Sequence, residues 1–397
     1  MRPHLLLAVP LLVSPVSAAT GPWKFDFGSD KPAAGFTAVH GDERYDAAKG
    51  HGFDLAGKPV EDGDHVTGSG GYYFSLAVPE GCYEVTVVPA KGANLTVKAE
   101  SRRLMLDEVH ESAKFTVHVR QPAFPGGAVK LKDREKPYLH WDNKLTLEFN
   151  GPKADVDRIE IRALPEATVV HVLGDSTVTD QPNEPWNSWG QMLPRFFGPT
   201  VAVANHAESG ESIRSSLHAK RFEKVYRSMK KGDYVLVQFG HNDMKDKKPD
   251  ALATYRSNLV AIVKQVRELG GTPVLITSME RKAGVKNDTL GGYPDAVRSV
   301  AKELDVAMID LHAMSRTLYQ ALGDKIGAAF QDGTHHNNYG SYELAKCVVE
   351  GIRTKVPELG KQLRPEVTRF DPARPDKPED FHYPVSPVVD LTKPDGD

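Results

Sequence analysis

Thr168-Val-Val-His-Val-Leu-Gly-Asp-Ser-Thr-Val178 is the stretch on which the fold of this 397-residue chain depends. Its apolar and β-branched run ends abruptly at Gly174, Asp175 and Ser176, a pattern that predicts a buried strand followed by a turn. Open α/β sheets keep their sites at the carboxyl ends of such strands, so the turn would carry the Ser176 hydroxyl to that edge. Gly-Asp-Ser is also an ordinary turn tripeptide, and an Asx-type turn without chemistry is the alternative.

Two later stretches carry residues that can act together with a serine. Phe239-Gly-His-Asn-Asp243 follows a second apolar run, and Asp332-Gly-Thr-His335 lies near the end of the folded region. A serine, an asparagine amide and an Asp/His pair are the parts of a hydrolytic site. In this hypothesis His335 takes the proton of Ser176, and Asp332 holds the histidine tautomer. The alternatives are that Asp332 and Asn242 are turn or cap residues and His335 is a surface histidine.

Residues 165–360 alternate short apolar runs with amphipathic segments, which predicts a three-layer α/β/α domain around a parallel sheet. The predicted strands are Thr168–Leu173, Val201–Ala204, Tyr234–Phe239, Pro273–Thr277 and Val306–Ile309. The predicted helices are Trp189–Phe197, Ser215–Ser228, Leu252–Leu269, Asp295–Leu304 and Tyr339–Thr354.

Residues 20–164 instead follow a period of two, as in Tyr83–Val88 and Lys144–Phe149, with turn signals such as Asn150-Gly151 between the runs. This pattern predicts an antiparallel β-sandwich. Its aromatic residues are either core and strand residues or a face on which sugars stack, and the first interpretation is favoured. They are Trp23, Phe25, Phe27, Tyr45, Phe53, Tyr72 and Tyr73.

The two ends of the chain differ in composition from the rest. Residues 1–19 combine a cationic start, a short apolar centre and small residues, which is the pattern of a secretory signal, so a secreted or periplasmic location is expected. Residues 361–397 are Pro-rich and charged, and an extended tail held to the protein by Phe370, Phe381 and Tyr383 is predicted. Further stretches are too short to span a bilayer, so no membrane span is expected.

Charge and cysteine content restrict the classes of partner. The formal net charge is −3 and no run of basic residues occurs, so a nucleic-acid partner is not expected. Cys82 and Cys347 are predicted to be two isolated buried thiols, with a disulfide between the two domains as the alternative. No cofactor or metal is predicted, because His335-His336 and Asp332 could be mistaken for metal ligands but no further ligand occurs at a suitable spacing.

Four blocks, in order, resemble the SGNH (GDSL-like) hydrolase superfamily. They are Gly174-Asp-Ser-Thr177, Asn205-His-Ala-Glu-Ser-Gly-Glu-Ser212, Gly240-His-Asn-Asp243 and Asp332-Gly-Thr-His335. Together with Trp189-Gly-Gln-Met-Leu193 and the ending His336-Asn337, they look most like the rhamnogalacturonan acetylesterases within that superfamily. The N-terminal region resembles the galactose-binding-like β-sandwich of some two-domain relatives. One departure is Glu211, where related enzymes often place arginine.

The resemblance implies a flavodoxin-like fold for the second domain and a role for each site residue. Ser176 would be the nucleophile, with Asp332 and His335 completing a catalytic triad. The backbone N–H groups of Ser176 and Gly210 and the side-chain amide of Asn242 would form the oxyanion hole. Asp175 would order the turn rather than act as an acid, while His241 and His336 would make structural hydrogen bonds.

The leading hypothesis is a secreted serine carbohydrate esterase that removes acetyl groups from a polysaccharide through an acetyl-Ser176 intermediate. Acetylated rhamnogalacturonan is its first candidate substrate. A deacetylase of another glycan such as xylan, or a lipase or thioesterase of the same superfamily, is the first alternative. A non-catalytic carbohydrate-binding protein is the second.

Overall fold

The computed structural model describes residues 21–395, so the predicted signal at residues 1–19 lies outside the described residues. The N-terminal part of the described chain consists of short strands. They are β1 Trp23–Phe27, β2 Thr37–Val39, β3 His51–Asp54, β4 Val60–Asp62, β5 His65–Thr67, β6 Tyr72–Ala77, β7 Gly81–Pro89, β8 Asn94–Ala99, β9 Arg103–Val109, β10 Ala113–Val119, β11 Ala123–Phe124, β12 Gly127–Ala128, β13 Lys144–Lys153 and β14 Val156–Ala163.

These strands form two large sheets and a small hairpin. One sheet has the order β10-β7-β14-β1-β2, with β5 on β14 and β4 on β5, and the other has the order β3-β6-β13-β8-β9. Strands β11 and β12 pair only with each other. Side chains from both large sheets form one apolar core. Single-turn 3₁₀ helices at Asp133–Glu135 and Leu139–Trp141 precede β13.

Two predictions for this region are wrong in detail. The chain between β1 and β2 runs back to the level of the start of β1 before β2 begins. Strand β2 therefore pairs parallel to β1, and the pairing in this sheet is not purely antiparallel. The predicted turn at Asn150-Gly151 lies inside β13, whose register against β8 shifts there. Gly151 has a φ of +123°, so the glycine serves an irregularity within the strand rather than a turn.

The aromatic residues of this region are mainly core residues. Phe25, Phe27, Phe53, Tyr72 and Tyr73 are all buried, while Trp23 and Tyr45 are half-buried. The buried rings pack edge-on or tilted, as between Phe53 and Phe74 at a centroid distance of 5.7 Å. The five buried rings therefore stabilise the core and offer no face for stacking a sugar.

The C-terminal part is organised around a parallel sheet. Its strands are β15 Thr168–Gly174, β16 Val201–Asn205, β17 Tyr234–Gln238, β18 Thr272–Ile276 and β19 Ala307–Ile309, in the order β16-β15-β17-β18-β19. Its helices are α1 Trp189–Met192, α2 Ile213–His218, α3 Arg221–Ser228, α4 Ala251–Glu268, α5 Tyr293–Glu303, α6 Leu311–Leu322, α7 Asn338–Lys355 and α8 Pro357–Gly360. This strand order is the flavodoxin-like one, as predicted.

Both faces of this sheet are covered, which gives the predicted three layers. Val170 and Val172 of β15 belong to one apolar core together with residues of α1, α6 and α7. Leu173 of β15 belongs to a second core with residues of α3, α4 and α5. Successive side chains of a strand point to opposite faces, so a strand covered on both faces reads as a continuous apolar run.

Two helix predictions were inexact, and one helix was not predicted. The helix predicted at Trp189–Phe197 is α for only one turn and continues as a 3₁₀ helix, Leu193–Phe196, which contains Pro194. The helix predicted at Ser215–Ser228 is two helices, because Lys220 adopts a left-handed conformation with φ +64°. Helix α6 was not predicted, although Asp310 accepts a hydrogen bond from the backbone N–H of Ala313 at its start.

Buried ion pairs connect the N-terminal sheets to the C-terminal part. The Arg103 Nε atom donates to Asp180 Oδ2 at 2.6 Å, and both side chains are buried. Comparable buried pairs are Arg102–Glu184 and Glu135–Arg221. These contacts hold the two parts of the chain in one arrangement, while the domain boundaries at residues 164 and 360 remain predictions.

Residues 361–395 run as extended chain apart from short turns, including the 3₁₀ turn Pro378–Asp380. Phe370, Phe381 and Tyr383 pack against the C-terminal core. Cys82 and Cys347 are both free and buried, which is the favoured of the two predicted states. Within residues 21–395 every helix is too short or too polar to cross a bilayer.

Candidate active site

Ser176 lies in the tight turn that follows β15 at the carboxyl edge of the parallel sheet. Gly174 permits this turn, because a Cβ atom there would lie 2.5 Å from the Val178 side chain and 2.8 Å from the Gln238 carbonyl oxygen. The Gln181 side-chain amide donates to the Ser176 carbonyl oxygen at 2.7 Å and fixes the turn from the other side. The position of Ser176 is thus fixed by contacts within its own turn and loop and by the neighbouring strand β17.

The structure brings Ser176, His335 and Asp332 together in a hydrogen-bonded chain. His335 Nε2 lies 2.9 Å from Ser176 Oγ, and His335 Nδ1 lies 2.8 Å from Asp332 Oδ2. Ser176 and His335 are buried. These are the contacts that a serine–histidine–aspartate triad requires, since one ring nitrogen faces the hydroxyl and the other faces the carboxylate.

The Asp332 carboxylate is held in its charged form. Burial raises the pKa of Asp332, but the hydrogen bonds from the His335 side chain and backbone outweigh it and hold the pKa well below its usual range. The backbone N–H groups of Thr334 and His335 donate to Asp332 Oδ1 at 2.7 and 2.6 Å. The other oxygen is therefore left to orient the imidazole.

Asp175, next to Ser176, orders the turn, as predicted. Its Oδ1 atom accepts hydrogen bonds from the Thr177 backbone N–H at 3.0 Å and from the Thr177 hydroxyl at 2.7 Å. Its Oδ2 atom lies 3.2 Å from His241 Nδ1, and His241 Nε2 lies 3.0 Å from the Met279 carbonyl oxygen. Asp175 and His241 thus connect the β15 and β17 turns and take no part in the triad contacts.

The second block is fastened to the first by Asn205 at the end of β16. The Asn205 amide donates to the Val178 carbonyl oxygen at 2.7 Å and to Asp180 Oδ1 at 2.8 Å. Further along this block Gly210 has a φ of +80°, which favours glycine. The Gln181 amide reaches both the Ser176 carbonyl oxygen and Ser209 Oγ, so the Gly210 loop lies beside the Ser176 turn.

Asn242 lies in the turn after β17, at the start of a short 3₁₀ helix, Asp243–Lys245. Its amide donates one hydrogen bond, 3.1 Å long, to the Glu211 carbonyl oxygen, next to Gly210. An amide has two N–H donors, so one remains for a substrate oxygen. The structure therefore brings two of the predicted oxyanion-hole residues, Gly210 and Asn242, to one loop junction.

Glu211 faces inward rather than toward the site. Its carboxylate lies 3.1 Å from Lys132 Nζ and accepts a short hydrogen bond from Ser215 Oγ, and the side chain is buried. A cationic side chain does reach the loop that carries Gly210 from another part of the chain. Arg134 donates to Glu208 Oε1 at 2.7 Å and to the Ser209 carbonyl oxygen at 2.8 Å.

His336 makes a structural hydrogen bond, as predicted. Its Nε2 atom lies 2.8 Å from the Tyr319 hydroxyl, and burial lowers the pKa of His336 to about 3. One group of metal-ligand type, Glu280, Asp288 and His312, occurs among residues 21–395. The Glu280 carboxylate in it already accepts hydrogen bonds from Arg281 and Thr289, so it serves loop structure.

Sequence reasoning missed several residues around the site. Gln181 and Trp186 lie in the loop between β15 and α1, and the Trp186 ring packs edge-on to His335 at a centroid distance of 5.8 Å. Arg134 comes from the N-terminal part, and Asp395 from the tail. No local motif marks these positions. Gln181 and Trp186 lie in the loop that follows Ser176, whereas Arg134 and Asp395 reach the site only through the folded arrangement of distant segments.

Comparison with known proteins places this geometry in a family. Residues 172–341 match the family model for the GDSL-like lipase/acylhydrolase family. The chain is 37% identical over 217 residues to the rhamnogalacturonan acetylesterase RhgT of Bacillus subtilis, an alignment that covers 49% of this chain and 92% of that protein. The chain belongs to the GDSL-like lipase/acylhydrolase family.

Other relatives of this family extend the similarity. The chain is 25% identical over 361 residues to the uncharacterized esterase YxiM of Bacillus subtilis, covering 83% of this chain and 90% of that protein. The crystal structure of YxiM from the same organism matches with a TM-score of 0.47 and 24% identity, over 84% of this chain and 98% of that chain. As a GDSL-like family member, the protein is a carboxylic ester hydrolase.

Proposed function

We propose that this esterase is a secreted carbohydrate acetylesterase, with acetylated rhamnogalacturonan as its first candidate substrate. The observation that carries the proposal is the hydrogen-bonded chain from Ser176 Oγ through His335 to Asp332. The substrate class is supported by relatives named rhamnogalacturonan acetylesterases. RhgT is one, and a protein of Emericella nidulans, 24% identical over 91% of its length, is another.

The proposed reaction has two steps. His335 Nε2 takes the Ser176 proton as Ser176 Oγ attacks the acetyl carbonyl. The same proton then goes to the sugar oxygen as its bond to the carbonyl carbon breaks, so the sugar leaves as an alcohol and acetyl-Ser176 remains. A water molecule next attacks acetyl-Ser176, His335 takes its proton, and acetate leaves as the Ser176 hydroxyl is restored. Asp332 keeps the imidazole in the tautomer that both steps need.

Negative charge builds on the carbonyl oxygen in each step, and donors fixed in advance lower the barrier. We assign this role to the backbone N–H groups of Ser176 and Gly210 and to the free amide hydrogen of Asn242. All chemical roles are thereby supplied by protein groups, so no cofactor or metal is part of the proposal. Exhaustive dialysis against EDTA should therefore leave turnover intact.

For the N-terminal part we propose a galactose-binding-like β-sandwich, supported by two sheets around one core. Its five buried aromatics stabilise this core, and its Arg102, Arg103 and Glu135 are ion-paired with the C-terminal part. A scaffold role is therefore favoured over a sugar-stacking role. Residues 1–19 support the proposal of export.

The test is acetate release from a panel of acetylated polysaccharides that includes rhamnogalacturonan and xylan, beside hydrolysis of p-nitrophenyl acetate. We expect both activities in the wild type, with rhamnogalacturonan the preferred glycan. If the protein hydrolyses p-nitrophenyl acetate but releases acetate from xylan alone, the assignment as an esterase stands and xylan replaces rhamnogalacturonan as the substrate. Absence of both activities in a folded protein would refute the proposal in favour of a non-catalytic binding protein.

A further inference from the structure

The last described residues, 388–395, cross the mouth of the Ser176 site, and this segment is called the C-terminal strap here. It is attached first to the loop between β15 and α1. The Glu184 backbone N–H donates to the Val388 carbonyl oxygen at 3.0 Å, and the Asp390 backbone N–H donates to the Glu184 carbonyl oxygen at 2.9 Å. Trp186 Nε1 donates to the Asp390 carbonyl oxygen at 3.1 Å.

Two charged side chains of the C-terminal strap contact residues of the site. Lys393 Nζ lies 3.5 Å from Asp332 Oδ2. The Asp395 carboxylate pairs with the Arg134 guanidinium. Asp395 is also close to the Gly210 loop, because a Cβ atom built on Gly210 would lie 3.1 Å from Asp395 Cβ. A carboxylate of the protein itself thus lies beside the proposed oxyanion hole.

Arg134 is fixed in a way that leaves one edge for a ligand. Its Nη2 atom donates to Glu208 Oε1 and to the Ser209 carbonyl oxygen, which anchor the guanidinium from below. Its Nη1 atom is the one that binds Asp395. A planar guanidinium held in this way presents N–H donors in a geometry that matches a carboxylate.

The C-terminal strap is held by polar contacts rather than by burial of apolar surface. Its apolar side chains Val388, Val389 and Leu391 are 42%, 62% and 75% exposed. Displacing it would therefore forfeit little hydrophobic stabilisation, which scales with the apolar area removed from water. The ion pair with Arg134 is partly exposed as well, and such pairs contribute little to stability.

We propose that Arg134 is a subsite for the carboxylate of an acidic glycan, and that Asp395 of the C-terminal strap occupies this subsite and competes with the substrate. The inference rests on the proposed function, because it names a charged group of the glycan that the same site would deacetylate. The cavity under the C-terminal strap measures about 240 Å³ and is lined by Arg134, Tyr138, Gln181 and Trp186, among others. Its aromatic rings can pack against a sugar ring while Arg134 binds the hexuronate carboxylate.

The experiment compares two forms of one acetylated rhamnogalacturonan oligosaccharide, with its hexuronate carboxylates free (the acid) or converted to methyl amides, by acetate release. The wild type should prefer the acid, and Arg134→Gln should reduce the ratio of the two kcat/KM values about tenfold, the equivalent of about 1.4 kcal/mol. Asp395→Asn should lower KM for the acid. When Arg134→Gln is already present, Asp395→Asn should no longer change KM, because the effects of coupled residues are not additive. Matched controls are Arg374→Gln and Asp371→Asn, an exposed pair of the same tail.

An unchanged ratio in Arg134→Gln would overturn the carboxylate subsite, and an unchanged KM in Asp395→Asn would overturn competition by the C-terminal strap. If the wild type releases no acetate from any glycan, the proposed function fails separately. The subsite is then read from tryptophan fluorescence on titration with unacetylated oligogalacturonide. The subsite is supported if Asp395→Asn binds this ligand and if adding Arg134→Gln weakens the binding about tenfold or more. Absence of binding by Asp395→Asn refutes the subsite.

Discussion

In the proposed mechanism Ser176, His335 and Asp332 have different parts in one proton transfer, so their alanine variants should differ in severity. Ser176→Ala removes the nucleophile and His335→Ala removes the base, and each should abolish nearly all hydrolysis of p-nitrophenyl acetate. Asp332→Ala should leave more residual rate, because nucleophile and base remain while the tautomer is no longer held. Circular dichroism and Tm serve as the folding control. Substantial turnover by folded Ser176→Ala would contradict the assignment.

Asn242 tests the oxyanion hole separately from the triad. Losing one preorganised donor should lower kcat by a factor on the order of 10² to 10³, roughly 3 to 4 kcal/mol, with a far smaller change in KM. Steady-state kinetics on the small ester measure both parameters. Asn258→Ala, at a half-buried position of α4, is the matched control. A rise in KM alone would indicate that Asn242 binds substrate without stabilising the transition state.

Sequence spacing could predict the triad but not its surroundings, for a physical reason. Asp332 and His335 are three residues apart on one loop, and the Ser176 turn follows an apolar strand, so local pattern is sufficient. Arg134 instead reaches the Ser209 carbonyl oxygen across 75 residues of sequence. Which surface residue comes to lie at the site depends on how two separate cores pack, and no periodicity within either segment encodes that.

At the scale of elements, Asn205 holds the turns after β15 and β16 in register. Its amide donates to Val178 and Asp180, and its Oδ1 atom accepts from the Ala207 backbone N–H. Asn205→Ala would leave buried acceptors unpaired, so the free energy of unfolding should fall by about 1–3 kcal/mol for each group left unsatisfied. Urea unfolding measures this loss. Equal stability of wild type and Asn205→Ala would show that the turns are held by their own backbone contacts.

The elements themselves were predictable where one pattern dominated. The strands of the parallel sheet agree with their apolar runs to within one or two residues, since burial on both faces requires an uninterrupted apolar sequence. The helices failed where a single backbone feature outweighed amphipathic periodicity. Lys220 in its left-handed conformation divides α2 from α3, and Pro194 cannot donate the hydrogen bond that would continue α1 as an α-helix.

At the scale of the whole molecule, the N-terminal sheets and the hydrolase part share buried charges, which makes their separation costly. Removal of residues 21–164 would leave Asp180, Glu184 and Arg221 without their partners Arg103, Arg102 and Glu135. Removing one partner of a buried pair costs about 3–5 kcal/mol, so we expect the truncated protein to lose activity on polymer and on p-nitrophenyl acetate alike. Loss on the polymer alone, in a folded truncated protein, would indicate a binding module instead.

The interface between these two parts also contains histidines that are neutral in the folded state. Burial lowers the pKa of His118, His140 and His206 well below the usual value, and the charge of Arg120 acts in the same direction. In the unfolded chain a histidine has a pKa near 6.5. The unfolded state therefore binds more protons below that pH, and the stability contributed by each neutral histidine is lost as the pH falls through about 6.5.

The stability of the wild type does not isolate this effect, because other groups titrate in the opposite direction. Burial raises the pKa of Glu100 to about 8 and that of Asp243 to about 7. As the pH falls, these carboxyl groups therefore bind protons in the folded state before they do so in the unfolded state. The measurable quantity is the difference between a histidine variant and the wild type. The carboxyl contributions are common to both proteins and cancel in that difference.

His206→Gln should therefore become more stable relative to the wild type as the pH falls from 7.5 to 5.0. The variant keeps a neutral polar side chain at the buried position, where the His206 ring stacks on His171 at a centroid distance of 5.5 Å. Between pH 6.5 and 5.0 the relative gain should reach about 2 kcal/mol at most, at 1.36 kcal/mol for each pH unit. Urea unfolding at both pH values measures it, with the exposed His382→Gln as the control. A difference that is the same at both pH values would mean that folding leaves the pKa of His206 unchanged.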